Sequence, residues 1–460
     1  MIDALLLNPP LFDTTRFGKV CIEPEHAPPL GISYLAACLE VAGYCAVARD
    51  LYYTSWEDVK ELLNRTPSRM IGVSCLTDQR ASAFRLLRMA RALQPAAVIV
   101  AGGIHPTLFG RRVFQAVPCL DAIVLGEAEE TIVDFVARLH DRFRWGEVPG
   151  LIYQKEGGEV VQTSARRFTR SLDALPMPAY RHYLGQPYVK PLWLSGLRAR
   201  GKDASELRYV NVLGSRGCTH RCLFCASPAS LGRRWHTRRP QYLVAELESL
   251  THDWGYEFIA FSDEVFTEDP AWAMEVCREI VAKGVECAWE CQARADSVTP
   301  ELLDWMKRAG CLMVAFGIES FSERVLRKIR KDITPEEAMR GLDMCQGAGI
   351  AANVLLMVGN PGETDDTVEQ TRRCVLQIGP HAVSPDITTV FPGTGLNLRA
   401  KRAGMLTDDF WIGDEPAPYY TLEHPIERLR AWYDALLDCN ADSRWFRQLV
   451  NHPTPETTNA

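Results

Sequence analysis

The sequence predicts an α/β protein made of two parallel-sheet units in series, and three observations carry that expectation. Short apolar runs alternate with helix-length amphipathic stretches up to about residue 145, a glycine- and proline-rich passage follows over 146–206, and a second alternating series then runs to about residue 400. At 460 residues the chain is too long for one ordinary core, and 47% hydrophobic with 24% charged residues is the composition of a globular protein.

Within 1–145, the runs Ala4 to Asn8, Ala46 to Asp50, Met70 to Cys75, Ala97 to Gly102 and Asp121 to Gly126 read as buried parallel strands. Gly31 to Gly43, Gln79 to Gln94 and Glu129 to His140 have helical length and spacing, so this unit reads as a doubly wound sheet, which binds ligands at the carboxyl ends of its strands. Residues 146–206 read as a hairpin around Glu156-Gly157-Gly158-Glu159 and an extended linker through Leu175-Pro176-Met177-Pro178. From 207 to 400, strands are expected at Tyr209 to Leu213, Glu257 to Ser262, Glu286 to Gln292, Leu312 to Ile318, Ala352 to Val358 and Asp386 to Phe391. Six βα units fit an open, partial barrel, and no further strands are found that would close an eight-unit one. Residues 401–460 read as a helical segment with a frayed tail at Asn451 to Ala460.

Charge and cysteine usage narrow the function. A formal net charge of -7 argues against a broad phosphate-binding face, so a nucleic-acid partner is not expected and a small-molecule substrate fits better. The start, Met1-Ile-Asp-Ala-Leu-Leu-Leu, has no basic flank and its apolar run stops at Asn8-Pro9-Pro10, so neither a secretory signal nor a membrane span is expected and the cytoplasm is the expected location. Of 15 cysteines only three are tightly grouped, which points to reduced thiols and a metal site rather than a disulfide framework.

Those three, Cys218, Cys222 and Cys225, form a Cys-x-x-x-Cys-x-x-Cys loop directly after the first strand of the second unit, on the rim where a barrel keeps its chemistry. Thiolates are soft ligands, and three on one short loop can hold three corners of a 4Fe-4S cube and leave one iron open. A zinc site with His220 as fourth ligand is the alternative, although the paired-knuckle spacing is missing. The loop resembles the signature of the radical S-adenosylmethionine superfamily, in which S-adenosylmethionine chelates the open iron and is cleaved to a 5'-deoxyadenosyl radical. That resemblance implies S-adenosylmethionine contacts at Phe224, at Asp263 and Glu264 after the second strand, at Arg294 after the third, at Glu319 and Ser320 after the fourth, and at Gly359 and Pro361 in Gly359-Asn360-Pro361-Gly362-Glu363-Thr364. Taken singly, Phe224 could be plain core, Asp263 or Glu264 a helix cap, and Glu319 a solvated strand end. The segment Gly404 to Tyr420, with Trp411, is expected to border the substrate cavity, and the basic run Arg233 to Arg239 reads as a solvated turn before an anion site.

The first unit carries no Gly-x-Gly-x-x-Gly after its first strand. Its strand-to-helix turns instead hold Pro29-Leu30-Gly31, Ser74-Cys75-Leu76-Thr77, Gly102-Gly103-Ile104-His105-Pro106 and Gly126-Glu127. Together these resemble the Rossmann-like cobalamin-binding domain that precedes many radical S-adenosylmethionine barrels, which implies corrinoid contacts at Leu30, Gly31, Ser74, Leu76, Thr77, Gly102, Gly103, His105, Pro106, Gly126 and Glu127. The Asp-x-His-x-x-Gly corrinoid motif is absent, so a base-off cobalamin with no protein histidine on its lower face is expected, with Leu76 or Thr77 beneath it. The whole resemblance implies a methyltransferase acting on an unactivated carbon or a phosphinate of a small metabolite through a 5'-deoxyadenosyl radical and methylcobalamin, supplied with electrons by a donor such as flavodoxin or ferredoxin. Ring closure, ring contraction or another radical rearrangement is the alternative outcome, and methylthio transfer to RNA and a non-catalytic corrinoid or metal sensor are the remaining ones.

Overall fold

The computed structural model describes residues 2–10, 26–167, 169, 171–186, 188 and 190–441; the tail at Asn451 to Ala460 lies outside them. The first sheet has seven strands in the order Ala46–Asp50, Ile2–Asn8, Ser68–Ser74, Val98–Gly102, Ala122–Val124, Leu151–Gln154 and Val160–Gln162. The first five are parallel and the last two antiparallel, so the hairpin extends this sheet along its edge. The alternation of a strand explains the layers. Ala4 and Leu6 face the helices Leu30–Val41 and Glu129–Val136, packing with Ile32, Ala36 and Phe135, while Leu5 and Leu7 face Arg80–Leu93 on the other side with Phe84 and Leu87. Each such leucine contributes roughly 1.5–3 kcal/mol by leaving water. A further helix at Trp56–Arg65, capped by Ser55 accepting from the Asp58 N–H at 3.2 Å, was not expected, because only Val59 and Leu63 of its residues are buried and its apolar stripe is thin.

The second sheet has six parallel strands in sequential order, Tyr209–Val212, Phe258–Phe261, Ala288–Ala293, Cys311–Glu319, Ala351–Val358 and Ala382–Ile387. Its first and last strands do not pair with each other, so the barrel is open. Caps set its helices: Asp269 accepts from Ala271 N–H before Pro270–Lys283, Thr334 and Glu337 form a capping box before Pro335–Gly347, and Thr364 caps Asp365–Ile378. The sixth strand lies four residues earlier than expected. It carries Pro385, which an edge strand tolerates because one row of its backbone groups needs no partner.

The carboxyl ends of the two sheets face each other. The short helix Ile104–Phe109 touches Ser227–Leu231, the helix that follows the third cysteine, and Asn211 Nδ2 donates to Pro28 O at 3.1 Å. Among the described residues no helix is long and apolar enough to cross a membrane.

Candidate active site

Cys218, Cys222 and Cys225 are free thiols, each half-buried, on the loop after the Tyr209–Val212 strand. The loop is built from its flanks inward. Asp263, at the end of the neighbouring strand, accepts from Gly214 N–H at 3.0 Å and from the Ser215 hydroxyl, and Glu264 accepts from Gly217 N–H at 3.1 Å. Gly217 sits at φ +86° with no room for a Cβ against the Arg234 carbonyl. Further along, Leu223 N–H donates to Ile329 O at 2.7 Å and Leu223 O accepts from Leu396 N–H at 3.1 Å, so the middle of the loop is tied to the end of the helix Glu323–Ile329 and to the first turn of the helix Gly395–Arg402.

Burial raises the Cys218 thiol to about 11, with the backbone at His220 working against the rise. Burial also raises Cys222, opposed by the nearby cations Lys331 and Arg294. Lys331 is itself buried, pairs with Glu319 at 2.9 Å, and places its ammonium 5.9 Å from the centre of the Phe224 ring. Arg294 holds Asp296 through both ends of its guanidinium at 2.9 and 2.8 Å and donates to Lys331 O at 3.0 Å. Unbridged thiols with cations beside them suit a ligand set that must ionise to bind metal. The one trio of histidine, cysteine and acid within single-ion reach among the described residues is Cys218, His220 and Glu268, which leaves out Cys222 and Cys225 and so does not assemble the three-cysteine zinc site.

Of the residues expected to contact S-adenosylmethionine, Phe224, Arg294 and Glu319 do gather beside Cys222. Asp263 and Ser320 stand behind that surface: Asp263 is committed to the loop backbone, and Ser320, fully buried, is held by Ser322 N–H at 3.2 Å and by Thr371 at 3.3 Å. In this structure they support the loop and the fourth strand's end. Glu319 adopts φ +69° just past a register shift after Gly317, which turns the chain at that end. The turn Gly359 to Glu363 is buried too. Glu363 accepts from Gly359 N–H at 2.6 Å and Asn360 N–H at 3.0 Å, and a Cβ on Gly359 would lie 3.1 Å from Leu429 of the helix Ile426–Leu437. Close approach at this glycine is therefore made to the protein's own C-terminal helix.

Burial pushes the Glu363 carboxyl from 4.5 up to about 8, against the two backbone donors. Because the folded value lies above the unfolded one, stability is full while the group is protonated in both states and declines as pH rises from 4.5 toward 8, by at most about 1.4 kcal/mol per unit. Glu363→Gln keeps an acceptor for both N–H groups and is expected to flatten that decline. Urea denaturation at pH 5.5 and 8.5 checks it, with the variant gaining on the parent more at the higher pH.

The corrinoid loops line the carboxyl edge of the first sheet. Cys75 N–H donates to Gly102 O at 2.8 Å and His105 N–H to Cys75 O at 3.1 Å, joining two of them, and Thr107 joins a third by accepting from Gly126 N–H at 3.0 Å while donating to Gly103 O at 2.8 Å. Thr107 was not among the expected contacts; its place one turn past the glycines is the signal that could have marked it. Gly31, Gly103 and Gly126 are exposed, and Leu76 is 44% exposed just past the end of its strand, so this edge is poor in side chains. Leu30, Ser74 and Gly102 are partly exposed on the same edge, whereas Thr77 is nearly buried and its carbonyl accepts from Arg80 at 3.0 Å.

His105 and Pro106 are not exposed on that edge. His105 is fully buried among Phe84 and Phe109, and burial with the nearby Arg80 charge lowers it to about 3. Trp411 is likewise fully buried, beneath the Arg80 guanidinium at 5.3 Å, and forms core rather than cavity border. Gly103 is the most constrained glycine of these loops: at φ +101°, an added Cβ would meet Cys75 O at 2.9 Å. Gly103→Ala is expected to cost roughly 1–3 kcal/mol and to weaken cobalamin binding through the displaced Cys75 turn, checked by thermal melting and cobalamin titration.

A doubly wound sheet and an open parallel barrel that turn their loop edges toward each other, with unbridged thiols on one edge and exposed glycines on the other, define a two-cofactor enzyme class. The B12 binding domain model matches residues 21–136 and the Radical SAM superfamily model residues 212–375; the chain belongs to the cobalamin-binding radical S-adenosylmethionine enzyme family, whose cofactors are a 4Fe-4S cluster, S-adenosylmethionine and cobalamin. An uncharacterized methyltransferase of Pyrococcus horikoshii is 28% identical over 407 residues, covering 88% of this chain and 83% of that one. An anaerobic magnesium-protoporphyrin IX monomethyl ester cyclase of Cereibacter sphaeroides is 27% identical over 384 residues, covering 80% and 60%. The structure of the methyltransferase TsrM from Kitasatospora setae, with cobalamin and a 4Fe-4S cluster bound, matches with a TM-score of 0.68 at 22% identity over 93% of this chain and 81% of that one, a likeness of fold.

Proposed function

We infer that this enzyme is a methyltransferase that acts on an unactivated carbon, or a phosphinate, of a small metabolite. The observation that carries the reading is the direct junction of the two loop sets, where Arg216, two residues before Cys218, pairs with Glu127 and Glu129 beside the exposed glycines. When bound, the cluster supplies the electron that cleaves S-adenosylmethionine and cobalamin supplies a methyl carrier. The chain's own part is position and exclusion of water. Cys218, Cys222 and Cys225 would hold three irons, with Phe224, Arg294, Glu319, Gly359 and Pro361 around S-adenosylmethionine. Leu76 would lie under the corrin with no histidine ligand. Asp263 and Glu264 would hold the cysteine loop still.

Enzymes of this class need a reductant, and a flavodoxin or ferredoxin would serve. The uncharacterized methyltransferase relative favours methyl transfer, and the cyclase relative supports ring formation as a second reading. Reconstitution with iron, sulfide and cobalamin, followed by mass spectrometry with methyl-labelled S-adenosylmethionine, separates them. S-adenosylhomocysteine formed only with cobalamin, together with 5'-deoxyadenosine, is expected. Deoxyadenosine without S-adenosylhomocysteine would favour ring formation instead.

A further inference from the structure

Arg216 joins the two halves of the site through a single side chain. Its Nη1 donates to Glu127 at 3.1 Å and its Nη2 to Glu129 at 2.6 Å, so one guanidinium grips both the Gly126-Glu127 turn and the first turn of the helix Glu129–Val136. All three side chains are less than 10% exposed. Glu127 is held from a further direction by Thr169 N–H at 2.7 Å, with His236 standing 3.5 Å away, and His236 is the backbone partner of Arg216 in a two-residue antiparallel pair. Burial works against the Glu127 charge, but these donors outweigh it and pull the carboxyl down to about 2.

Only Gly217 separates Arg216 from Cys218, and Gly217 is not free to swing: Glu264 holds its N–H, and the Arg234 carbonyl blocks the space beside it. The Gly126–Glu129 segment and the first cluster cysteine are thus joined through one buried side chain and one fixed residue. Other links join the halves as well, among them Asn211 to Pro28, Arg80 to Gly413 and the packing of Ile104–Phe109 on Ser227–Leu231 after Cys225; Arg216 differs from these in being a buried double ion pair two residues from Cys218.

We propose that Arg216 couples the two cofactor sites, so that filling either one strengthens the hold on the other. This rests on the placement of cobalamin at the first sheet's loops and of the cluster at the cysteine loop. Coupling of this kind is reciprocal, and a planar guanidinium that binds two carboxylates at once transmits it better than an ammonium, which meets them one at a time. Arg216 is a positioning residue on this account, touching no reacting atom.

The test is the hydroxocobalamin dissociation constant of the protein before and after iron-sulfide reconstitution. Reconstitution is expected to tighten binding by about fivefold or more. Arg216→Met is expected to bring the two constants together, with Arg216→Lys between. The electron paramagnetic resonance signal of the reduced cluster should shift on adding cobalamin to the parent and stay still in Arg216→Met. Should that variant fail to fold, Glu129→Gln, which retains the Glu127 pair, is expected to shrink the ratio. A ratio near one in the parent, or an undiminished ratio in the variants, overturns the coupling. Failure of the parent to bind cobalamin at all would strike instead at the cofactor placement.

Discussion

Cys222→Ala is expected to abolish S-adenosylmethionine cleavage and to leave the fold intact. Cys222 stands mid-loop beside Lys331 and Arg294, and the loop on either side is fixed by backbone bonds that alanine keeps, at Leu223 to Ile329 and at Gly214 to Asp263. Removing residues that merely orient a metal ligand costs about 10–100-fold in affinity or activity, so removing a ligand thiolate should exceed that and bring turnover to background. Iron per chain and 5'-deoxyadenosine should fall together while circular dichroism is unchanged. Retained iron with retained cleavage would mean that Cys222 is not a cluster ligand.

The second large effect is expected at Arg80. Its guanidinium is 1% exposed and donates to Thr77 O at 3.0 Å, to Gly413 O at 3.0 Å and to Glu415 O, with Phe410 and Trp411 packed against it at 5.5 and 5.3 Å. Arg80→Met keeps much of the stem but leaves three carbonyls without this donor, and charge-assisted bonds of this kind contribute about 1.5–3 kcal/mol each without adding fully. A loss of roughly 3–5 kcal/mol is expected in the docking of residues 410–415. Limited proteolysis should cut there in the variant and not in the parent, and cobalamin affinity should drop because the Thr77 turn loosens. Equal protease resistance would show that the aromatic packing alone holds the segment.

Much of the fold could be read from the chain because buried parallel strands leave near-continuous apolar runs, as at Ala4 to Asn8 and Ala352 to Val358. Where residues answer to an edge or to a thin stripe the reading slips: Pro385 hid the first half of the sixth barrel strand, and Trp56–Arg65 offers only two buried side chains. The cysteine loop was legible from spacing alone, since a short loop fixes its own geometry. The identity of contact residues was less so. Whether His105 faces a cavity or a core depends on Phe84, Phe109 and Trp411, which come from three separated stretches of sequence. The buried pairing of Arg216 with two glutamates nearly ninety residues earlier has no local signature at all.

The bonds from Arg80 to Gly413 and Glu415 span sequence separations of 333 and 335 residues. On the ribosome, the first sheet emerges early and has all five of its parallel strands by residue 124, yet the Arg80 guanidinium beside the Thr77 turn gains its last partners only when residue 415 has been made. The part of the protein synthesised first is thus completed among the last. A nascent chain stalled short of residue 410 would carry the strands of the first sheet with Arg80 still lacking two of its carbonyl partners.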